Sequence, residues 1–178
     1  TTLLPFEPLS LRDFMLYEQH AVNSARGYAQ LFLPKPLTRA IELYENLSGR
    51  VFPGFKPARL WYRKPFYYTG NHLSIVGDGA AISFPPGCRI RDYELELGLV
   101  ITRPLHSASP SEAHAAIGGF TLFNDFSARD FQLREMKSGF GPCKAKHFAS
   151  AIGTVINLMG RGAGALSARE ALEIATLG

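Results

Sequence analysis

Hydrophobic and polar positions alternate most clearly between residues 88 and 102, in the segment CRIRDYELELGLVIT. Aliphatic side chains occupy every second position there, at Leu95, Leu97, Leu99 and Ile101. A repeat of two is the period of a β-strand, whose successive side chains point to opposite faces. The pattern predicts a strand that buries its leucine face and places Glu94 and Glu96 together on the other face.

A repeat of three and four residues indicates helices elsewhere in the chain. In LRDFMLYEQHAVNSARGYAQLF, Ser10 and Asp13 have the spacing of a capping box, so residues 11–31 are predicted to begin and continue as a helix. Further helices are predicted over residues 38–47, 109–117 and 166–177. Gly49 is predicted to end the first of these, and Gly118-Gly119 the second.

Short apolar runs between prolines and glycines predict the remaining sheet. Residues 51–86 contain LWYRKPFYY and LSIVG, which we interpret as strands joined by tight turns. The segments FTLFNDFSARD (120–130) and AIGTVI (151–156) are predicted as strands, and residues 138–150 between them as a loop. A chain whose first part is helical and whose next part forms strands belongs to the α+β class.

Composition indicates a globular protein that can bury its own core. The chain has 178 residues, and its charged fraction of 19% is slightly below the usual quarter. Some apolar surface is therefore predicted to remain for a subunit or domain interface. No apolar stretch approaches the length of a membrane span, and the N-terminus lacks a signal-peptide pattern.

Charge and cysteine content argue against several functions. The net charge is +4, but the 19 Lys and Arg residues are scattered, which favours a mildly basic surface over nucleic-acid binding. Cys88 and Cys143 have neither zinc-site nor disulfide-framework spacing. These features predict a cytoplasmic protein without nucleic-acid or membrane partners.

Carboxylates in the predicted sheet offer the first candidate chemistry. Glu94 and Glu96 would lie about 7 Å apart on one strand face, so that their carboxylates converge on one point. Two solvated glutamates on a half-exposed strand are the alternative. Asp125 follows the apolar run FTLF at or just past a strand end, where an Asx turn is the alternative to a functional role.

A second candidate group comes from the N-terminal segment and from the later loop. Asp13 and His20 are seven residues apart, which on a helix is about 20° around the axis. A capping role for Asp13 and a surface position for His20 are the alternatives. Carboxylate ligands select hard cations, so Mg²⁺, Mn²⁺ or Ca²⁺ is predicted, and Lys146 could add positive charge beside the ion.

These segments together resemble the fumarylacetoacetate hydrolase family. The motifs DYELELGLVI, NDFSARDFQ and Lys146-His147-Phe148 have the family's order and spacing. LRDFMLYEQHAVN resembles the segment in which an Asp binds metal and a His seven residues later is the general base. The resemblance implies metal ligands at Asp13, Glu94, Glu96 and Asp125. It also implies His20 and Lys146 as catalytic residues, and Arg129 with Gln132 as substrate-binding residues.

The resemblance implies a mixed β-roll of the fumarylacetoacetase catalytic-domain type with peripheral helices. It assigns residues 1–156 to that domain, whose C-terminal part is incomplete, and leaves residues 157–178 as a helical tail. The implied function is metal-dependent hydrolysis of a carbon–carbon bond in β-diketo acids, of the fumarylacetoacetate or acylpyruvate type, in aromatic compound catabolism. Mg²⁺, a small anionic keto-acid substrate and a homodimer are implied as well.

Two other functions stay open at this point. Some relatives in the family decarboxylate or tautomerise oxaloacetate-like keto acids through the same metal chemistry. A catalytically inactive remnant that serves as a binding or structural module is the other alternative, because the chain lacks the later part of the family's fold.

Overall fold

The computed structural model describes residues 3–153 and the backbone of residues 157–158. The chain divides into two compact units. The larger contains Thr1–Leu11 and Gly70–Gly178, and the smaller contains Arg12–Thr69. The predicted domain boundary at residue 156 stays a prediction, because most residues after that position lie outside the described part of the chain.

Helices and strands both contribute, as the predicted α+β class requires. The strands are β1 (Leu11–Phe14), β2 (Tyr67–Gly70), β3 (Ile75–Gly77), β4 (Arg91–Asp92), β5 (Leu95–Ile101), β6 (Ile117–Asp125), β7 (Ser127–Ala128), β8 (Ser150–Ile152) and β9 (Asn157–Leu158). The helices are α1 (Glu18–Phe32), α2 (Lys35–Ser48), α3 (Pro110–Ala115) and α4 (Arg129–Lys137), with 3-10 turns at Pro53–Phe55 and His72–Ser74. None of the described helices is both long and apolar enough to cross a bilayer.

The main sheet of the larger unit is built around β6. Its strand order is β3-β8-β6-β5, and β9 also pairs with β6. β5 and β6 are antiparallel, with a register that runs from Leu95 opposite Asn124 to Ile101 opposite Ile117. At the first of these ends the Asp125 N–H donates to the Glu94 carbonyl at 2.9 Å. The start of β5 and the end of β6 therefore lie side by side.

Two apolar clusters support this sheet. The first contains Ile75, Phe123 and Ile152, one each from β3, β6 and β8, and Leu4, Phe6 and Leu11 pack against it. The second contains Cys88, Ala128 and Ala145, flanked by Phe84, Phe131 and Phe148. In this second cluster, Ala128 belongs to β7 and Ala145 belongs to the loop after α4. The cluster therefore packs β7 against this loop.

The smaller unit contains α1, α2 and the paired strands β1 and β2, except for the end residues Leu11 and Gly70. Arg26 of α1 donates to both carboxylate oxygens of Glu45 on α2, at 2.9 and 3.0 Å, and the Phe52 N–H also donates to Glu45. Gly49 ends α2 with a left-handed φ of 63°. The prediction that Gly49 ends this helix is confirmed. α2 is longer than the predicted residues 38–47, since it begins at Lys35.

The predicted helix over residues 11–31 is wrong at its N-terminal end. Leu11–Phe14 form β1, and α1 begins only at Glu18, with Tyr17 rather than Ser10 at the N-cap position. Pairing with β2 gives this segment hydrogen bonds that local helix propensity could not predict. Asp13 and His20 therefore do not share a helix, and the 20° argument does not apply to them.

The strand predictions are correct in place and often wrong in extent. The strands within residues 51–86 are β2 and β3. Residues 60–63, the first four of LWYRKPFYY, form turns. Glu94 precedes β5 instead of lying within one long strand. Ser109 caps α3 as part of a capping box, but the helix ends before Gly118-Gly119, which lie inside β6. Residues 154–156 and the predicted helix over residues 166–177 lie outside the described residues.

The leucine face of β5 is exposed, contrary to the sequence prediction. Leu95, Leu99 and Ile101 keep 46%, 51% and 52% of their surface, and Leu122 of β6 keeps 47%. Leu122 lies opposite Leu97 in the register of the two strands, so β5 and β6 share one face that stays open in the described part of the chain. The alternation did identify a strand, but it did not show which face meets the core.

Phe123→Ala is expected to destabilise the larger unit by about 3–4 kcal/mol, because Phe123 is only 5% exposed and its removal leaves a cavity between Ile75 and Ile152. Leu73→Ala, at a position of the larger unit that is 84% exposed, is the control and should cost less than about 1 kcal/mol. Urea unfolding followed by circular dichroism measures both. Equal losses for the two variants would contradict the assigned core.

Candidate active site

Four segments of the larger unit meet where β5 begins and β6 ends. Glu94 lies just before β5, and Asp125 is the last residue of β6. Arg129 is the first residue of α4, and Lys146 lies in the loop between α4 and β8. The backbone joins these segments directly, because the Arg129 N–H donates to the Ile90 carbonyl and the Ala128 N–H to the Ala145 carbonyl, both at 2.9 Å.

The Lys146 ammonium lies between two carboxylates. Its Nζ is 2.5 Å from Glu94 Oε2 and 2.7 Å from Asp125 Oδ2. The side chains of Lys146 and Asp125 are 2% and 1% exposed, so this charge cluster is almost completely shielded from water. Ser150 Oγ donates to Asp125 Oδ1 at 3.2 Å. A buried charge of either sign is stable only with such partners.

Arg129 holds the other side of the cluster. Its Nη1 donates to Glu94 Oε1 at 2.6 Å and to Gln132 Oε1 at 3.0 Å, and its Nε donates to Asp92 Oδ2 at 2.7 Å. Both oxygens of Glu94 therefore accept from cationic groups. The two predicted substrate-binding residues, Arg129 and Gln132, lie one helical turn apart on α4 and contact each other.

Burial and charge act in opposite directions on these groups. Burial by itself would raise the pKa of Glu94, but the adjacent Lys146 ammonium and Arg129 guanidinium outweigh it, and the pKa lies below its ordinary value. Burial would lower the pKa of Lys146, but Glu94 and Asp125 raise it. Glu94 and Lys146 are therefore both held in their charged forms at neutral pH.

Glu96 brings a further carboxylate to the cluster. An oxygen of Glu96 lies within 4.8 Å of an oxygen of Glu94, although the two residues do not share one continuous strand. The predicted convergence of these two side chains is thus observed in the structure. Gly98 lies two residues further along β5, where a Cβ would approach Thr121 Cγ2 to 2.9 Å, so a larger residue would disturb the strand pair next to the acids.

The donor set in the larger unit fits a hard divalent cation. Glu94, Glu96 and Asp125 offer carboxylate oxygens, which are the ligands that Mg²⁺ and Mn²⁺ prefer. Asp92 also belongs to the cluster, so four formal negative charges face the two positive charges of Arg129 and Lys146. The cluster therefore has an excess of negative charge, which would suit a divalent cation.

The other predicted site residues belong to the smaller unit. Asp13 is on β1 and is partly buried. His20 is exposed in the first turn of α1, with Nε2 3.3 Å from Ser24 Oγ. Asp13 as a metal ligand and His20 as the general base stay predictions.

Sequence reasoning overlooked several residues of this cluster. Asp92 contacts Arg129, and Ser150 contacts Asp125, but neither was a predicted site residue. Of α4, only Arg129 and Asp130 lay in a predicted segment, the strand over residues 120–130. The signal for α4 was present in RDFQLREMK, where an acidic residue comes early and Arg134 and Lys137 come late, as helix ends prefer. No comparable pattern marked Ser150, because its role depends only on β8 lying next to β6.

Glu94→Gln is expected to lower the free energy of unfolding by about 3 kcal/mol at pH 7, because Lys146 and Arg129 each lose one of the two carboxylates that they contact. The folded-state pKa of Glu94 is below its unfolded value, so its contribution is present above about pH 4.3 and is lost as the pH falls through the lowered pKa. The gap between wild type and variant should therefore narrow in acid.

Urea unfolding at several pH values, from about 3 to about 7, tests this expectation. Glu42→Gln, an exposed position on α2, is the matched control and should differ from wild type by less than about 0.5 kcal/mol at every pH. A gap for Glu94→Gln that widens as the pH falls would show that the sign assigned to the pKa shift is wrong.

Comparison with known proteins adds independent information. The sequence profile described as fumarylacetoacetate (FAA) hydrolase C-terminal matches residues 45–175. Fumarylacetoacetase of Dictyostelium discoideum is 31% identical over 176 residues, which cover 84% of this chain and 41% of the relative. Fumarylpyruvate hydrolase of a Ralstonia species is 33% identical over 78 residues, which cover 44% of this chain and 41% of that protein.

A third relative has a different described activity. The mitochondrial oxaloacetate tautomerase fahd-1 of Caenorhabditis elegans is 38% identical over 86 residues, which cover 48% of this chain and 40% of that protein. The chain thus spans about two fifths of the length of these relatives. Because the matched profile extends over most of the 178 residues, this chain belongs to the fumarylacetoacetate hydrolase family.

Proposed function

We propose that this chain supplies the active site of a metal-dependent hydrolase that cleaves the carbon–carbon bond of a β-diketo acid of the fumarylacetoacetate or acylpyruvate type. The observation that supports this most is the buried Lys146 ammonium between Glu94 and Asp125, with Glu96 beside them. Fumarylacetoacetase and fumarylpyruvate hydrolase are among the relatives, which favours such substrates.

Each residue of the larger unit has a role that its chemistry suits. Lys146 offers a fixed positive charge and N–H donors to a substrate oxygen on which negative charge develops. Arg129 presents a planar guanidinium beside Gln132, suited to a carboxylate or another polar substrate group. Orientation of the substrate by these groups would lower the entropic part of the activation barrier.

The proposed cation ligands are Glu94, Glu96 and Asp125, joined by Asp13 of the smaller unit. A divalent cation bound there would act as a Lewis acid on substrate oxygens. Mg²⁺ is the ion we favour, with Mn²⁺ and Ca²⁺ as alternatives. His20 is proposed as the base that takes a proton from the attacking water.

Oxaloacetate tautomerisation or decarboxylation is the second candidate. The nematode relative, described as an oxaloacetate tautomerase, favours it. Tautomerisation needs proton transfer at carbon and stabilisation of an enolate oxygen, and a lysine ammonium supplies the second requirement equally well. The substrate in both cases is a small anionic keto acid, which suits the positive charges of Lys146 and Arg129.

The quaternary state and the cellular location are further parts of the proposal. A homodimer would give the exposed leucine face of β5 a partner, which suits the surplus of apolar surface predicted from composition. A cytoplasmic location stays a prediction, because the nematode relative is described as mitochondrial.

Titration with Mn²⁺ followed by calorimetry tests the cation site. We expect one ion per chain, and we expect Glu94→Gln and Glu96→Gln each to lower its affinity about 10- to 100-fold. Glu42→Gln should bind as the wild type does. Binding that is unaffected by both site variants would refute the ligand set, and a complete absence of binding in the wild type would favour the inactive remnant.

Hydrolysis of an acylpyruvate, followed by loss of its ultraviolet absorbance, tests the reaction. Lys146→Met is expected to lower kcat about 100-fold, because a preorganised positive charge is lost. His20→Ala should lower kcat about 100-fold or more while leaving Mn²⁺ affinity unchanged, because base and ligand are separate roles. His114→Ala, on the surface helix α3, is the control.

Oxaloacetate, assayed in parallel, separates the two candidate activities. Hydrolysis of the acylpyruvate with slow or absent conversion of oxaloacetate supports the first proposal. The second candidate, an oxaloacetate tautomerase or decarboxylase, would be supported by a different result. Oxaloacetate would then interconvert between its keto and enol forms or lose carbon dioxide, and the acylpyruvate would not react.

A further inference from the structure

We infer that Glu135 is a positioning residue that fixes the loop carrying Lys146, and this inference rests on the proposed function. Glu135 lies in the last turn of α4. Its Oε2 accepts from the N–H of Cys143 at 2.7 Å and from the N–H of Ala145 at 3.2 Å. A single carboxylate oxygen thus holds two amides of the loop immediately before Lys146.

The position of Glu135 on α4 is unfavourable for the helix alone. Carbonyl groups at a helix C-terminus carry partial negative charge, so acidic side chains in the last turn are disfavoured and basic ones are preferred. Arg134 and Lys137 in the same turn have that preferred charge. The two loop amides that donate to Glu135 explain why a carboxylate lies at this position, since hydrogen bonds from N–H groups to a charged acceptor are strong.

Close packing brings the loop to Glu135. A Cβ on Gly141 would lie 2.6 Å from the Glu135 carbonyl carbon and 2.8 Å from the Met136 nitrogen. Real side chains do not approach a backbone so closely, so only glycine allows the loop to cross the helix here. Beyond Gly141, the Glu135 carboxylate accepts from the N–H groups of Cys143 and Ala145, so the loop stays in contact with the helix up to Ala145.

The loop beyond Glu135 is short and tightly connected to the site. The Lys146 N–H donates to the Cys143 carbonyl at 3.0 Å, and Ala145 is fully buried, with its carbonyl bonded to the Ala128 N–H. Both amides held by Glu135 therefore belong to the turn from which the Lys146 side chain departs. Side chains hold the backbone on both sides of Lys146: Glu135 accepts from the two amides before it, and Asn71 Nδ2 donates to the His147 carbonyl after it at 3.1 Å.

Loss of the Glu135 carboxylate should displace Lys146 without removing it. Displacement of a catalytic group by about 1 Å can cost up to about 100-fold in rate. The effect should fall on kcat more than on KM, because the charge of Lys146 is required where negative charge develops, whereas Arg129 and Gln132 still bind the substrate.

Kinetics of Glu135→Ala, Glu135→Gln and Glu112→Ala in the full chain test this inference. Glu112 is the matched control, because it also accepts a backbone N–H, that of Ser109, but in the capping box of α3. We expect Glu135→Ala to lower kcat about 10- to 100-fold with little change in KM. Glu135→Gln keeps an accepting oxygen and should restore most of kcat, and Glu112→Ala should behave as the wild type does.

A second readout does not depend on turnover. Acetylation of lysines by acetic anhydride, quantified by mass spectrometry, reports the accessibility of Lys146, with exposed Lys137 as internal reference. Glu135→Ala should raise the relative labelling rate of Lys146 about tenfold, since the loop opens locally more often. Should Glu135→Ala fail to fold, Glu135→Asp, which keeps the charge but shortens the side chain, should show a smaller change in the same direction.

The two readouts separate the failure of this inference from that of the proposed function. A wild-type chain that hydrolyses no acylpyruvate removes the proposed function, and the labelling of Lys146 still decides whether Glu135 positions the loop. Unchanged labelling in both Glu135→Ala and Glu135→Asp overturns the positioning role. An equal loss of kcat in Glu112→Ala overturns it as well, because the effect would then be a general loss of stability.

Discussion

The ion pairs of Lys146 with Glu94 and Asp125 are the constraint on which the larger unit depends. Removing two carboxylates and an ammonium from water costs several kcal/mol per ion, and only precise mutual contacts offset that cost. The contacts require the start of β5, the end of β6 and the loop after α4 to meet at one place. A sheet built only for stability would fill such a position with apolar side chains, so the retained charges point to chemistry.

The rest of the unit can be understood as support for that meeting point. Phe123 and Ile152 pack the strands that carry Asp125 and Ser150. Ala128 and Ala145 are fully buried and bring the start of α4 close to the loop. Small side chains are needed there because two backbone segments approach each other within hydrogen-bonding distance. Packing and electrostatics thus act on the same few segments.

Sequence patterns predicted the parts of this arrangement that depend on local chemistry. The alternation around Leu95–Ile101 identified β5, Gly49 correctly ended α2, and Asp125 was correctly placed at a strand end. The convergence of Glu94 and Glu96 was also predicted from spacing, although a break before β5 separates them. Family resemblance contributed Arg129 and Gln132 and gave Lys146 a catalytic role, and no local pattern indicated the contacts of these residues.

The parts that failed depend on distant partners. Leu11–Phe14 became a strand because β2 pairs with it, and no helical repeat can reveal such a partner. The exposed leucines of β5 show that an alternating pattern defines two faces without deciding which one is covered. Glu135 and Ser150 acquire their roles only after α4 and β8 are packed, so their contacts were beyond sequence reasoning.

The antiparallel register of β5 and β6 has a consequence for how this family can vary in length. An insertion of one residue within residues 95–99 would turn the side chains on one side of it to the opposite face, and it would separate Glu94 from Asp125 if the far end of the strand pair kept its register. The register already shifts between Val100 and Ile101, at the far end of the pair. Length changes should therefore accumulate in the connection after Ile101, where a looped-out residue leaves the acidic end undisturbed.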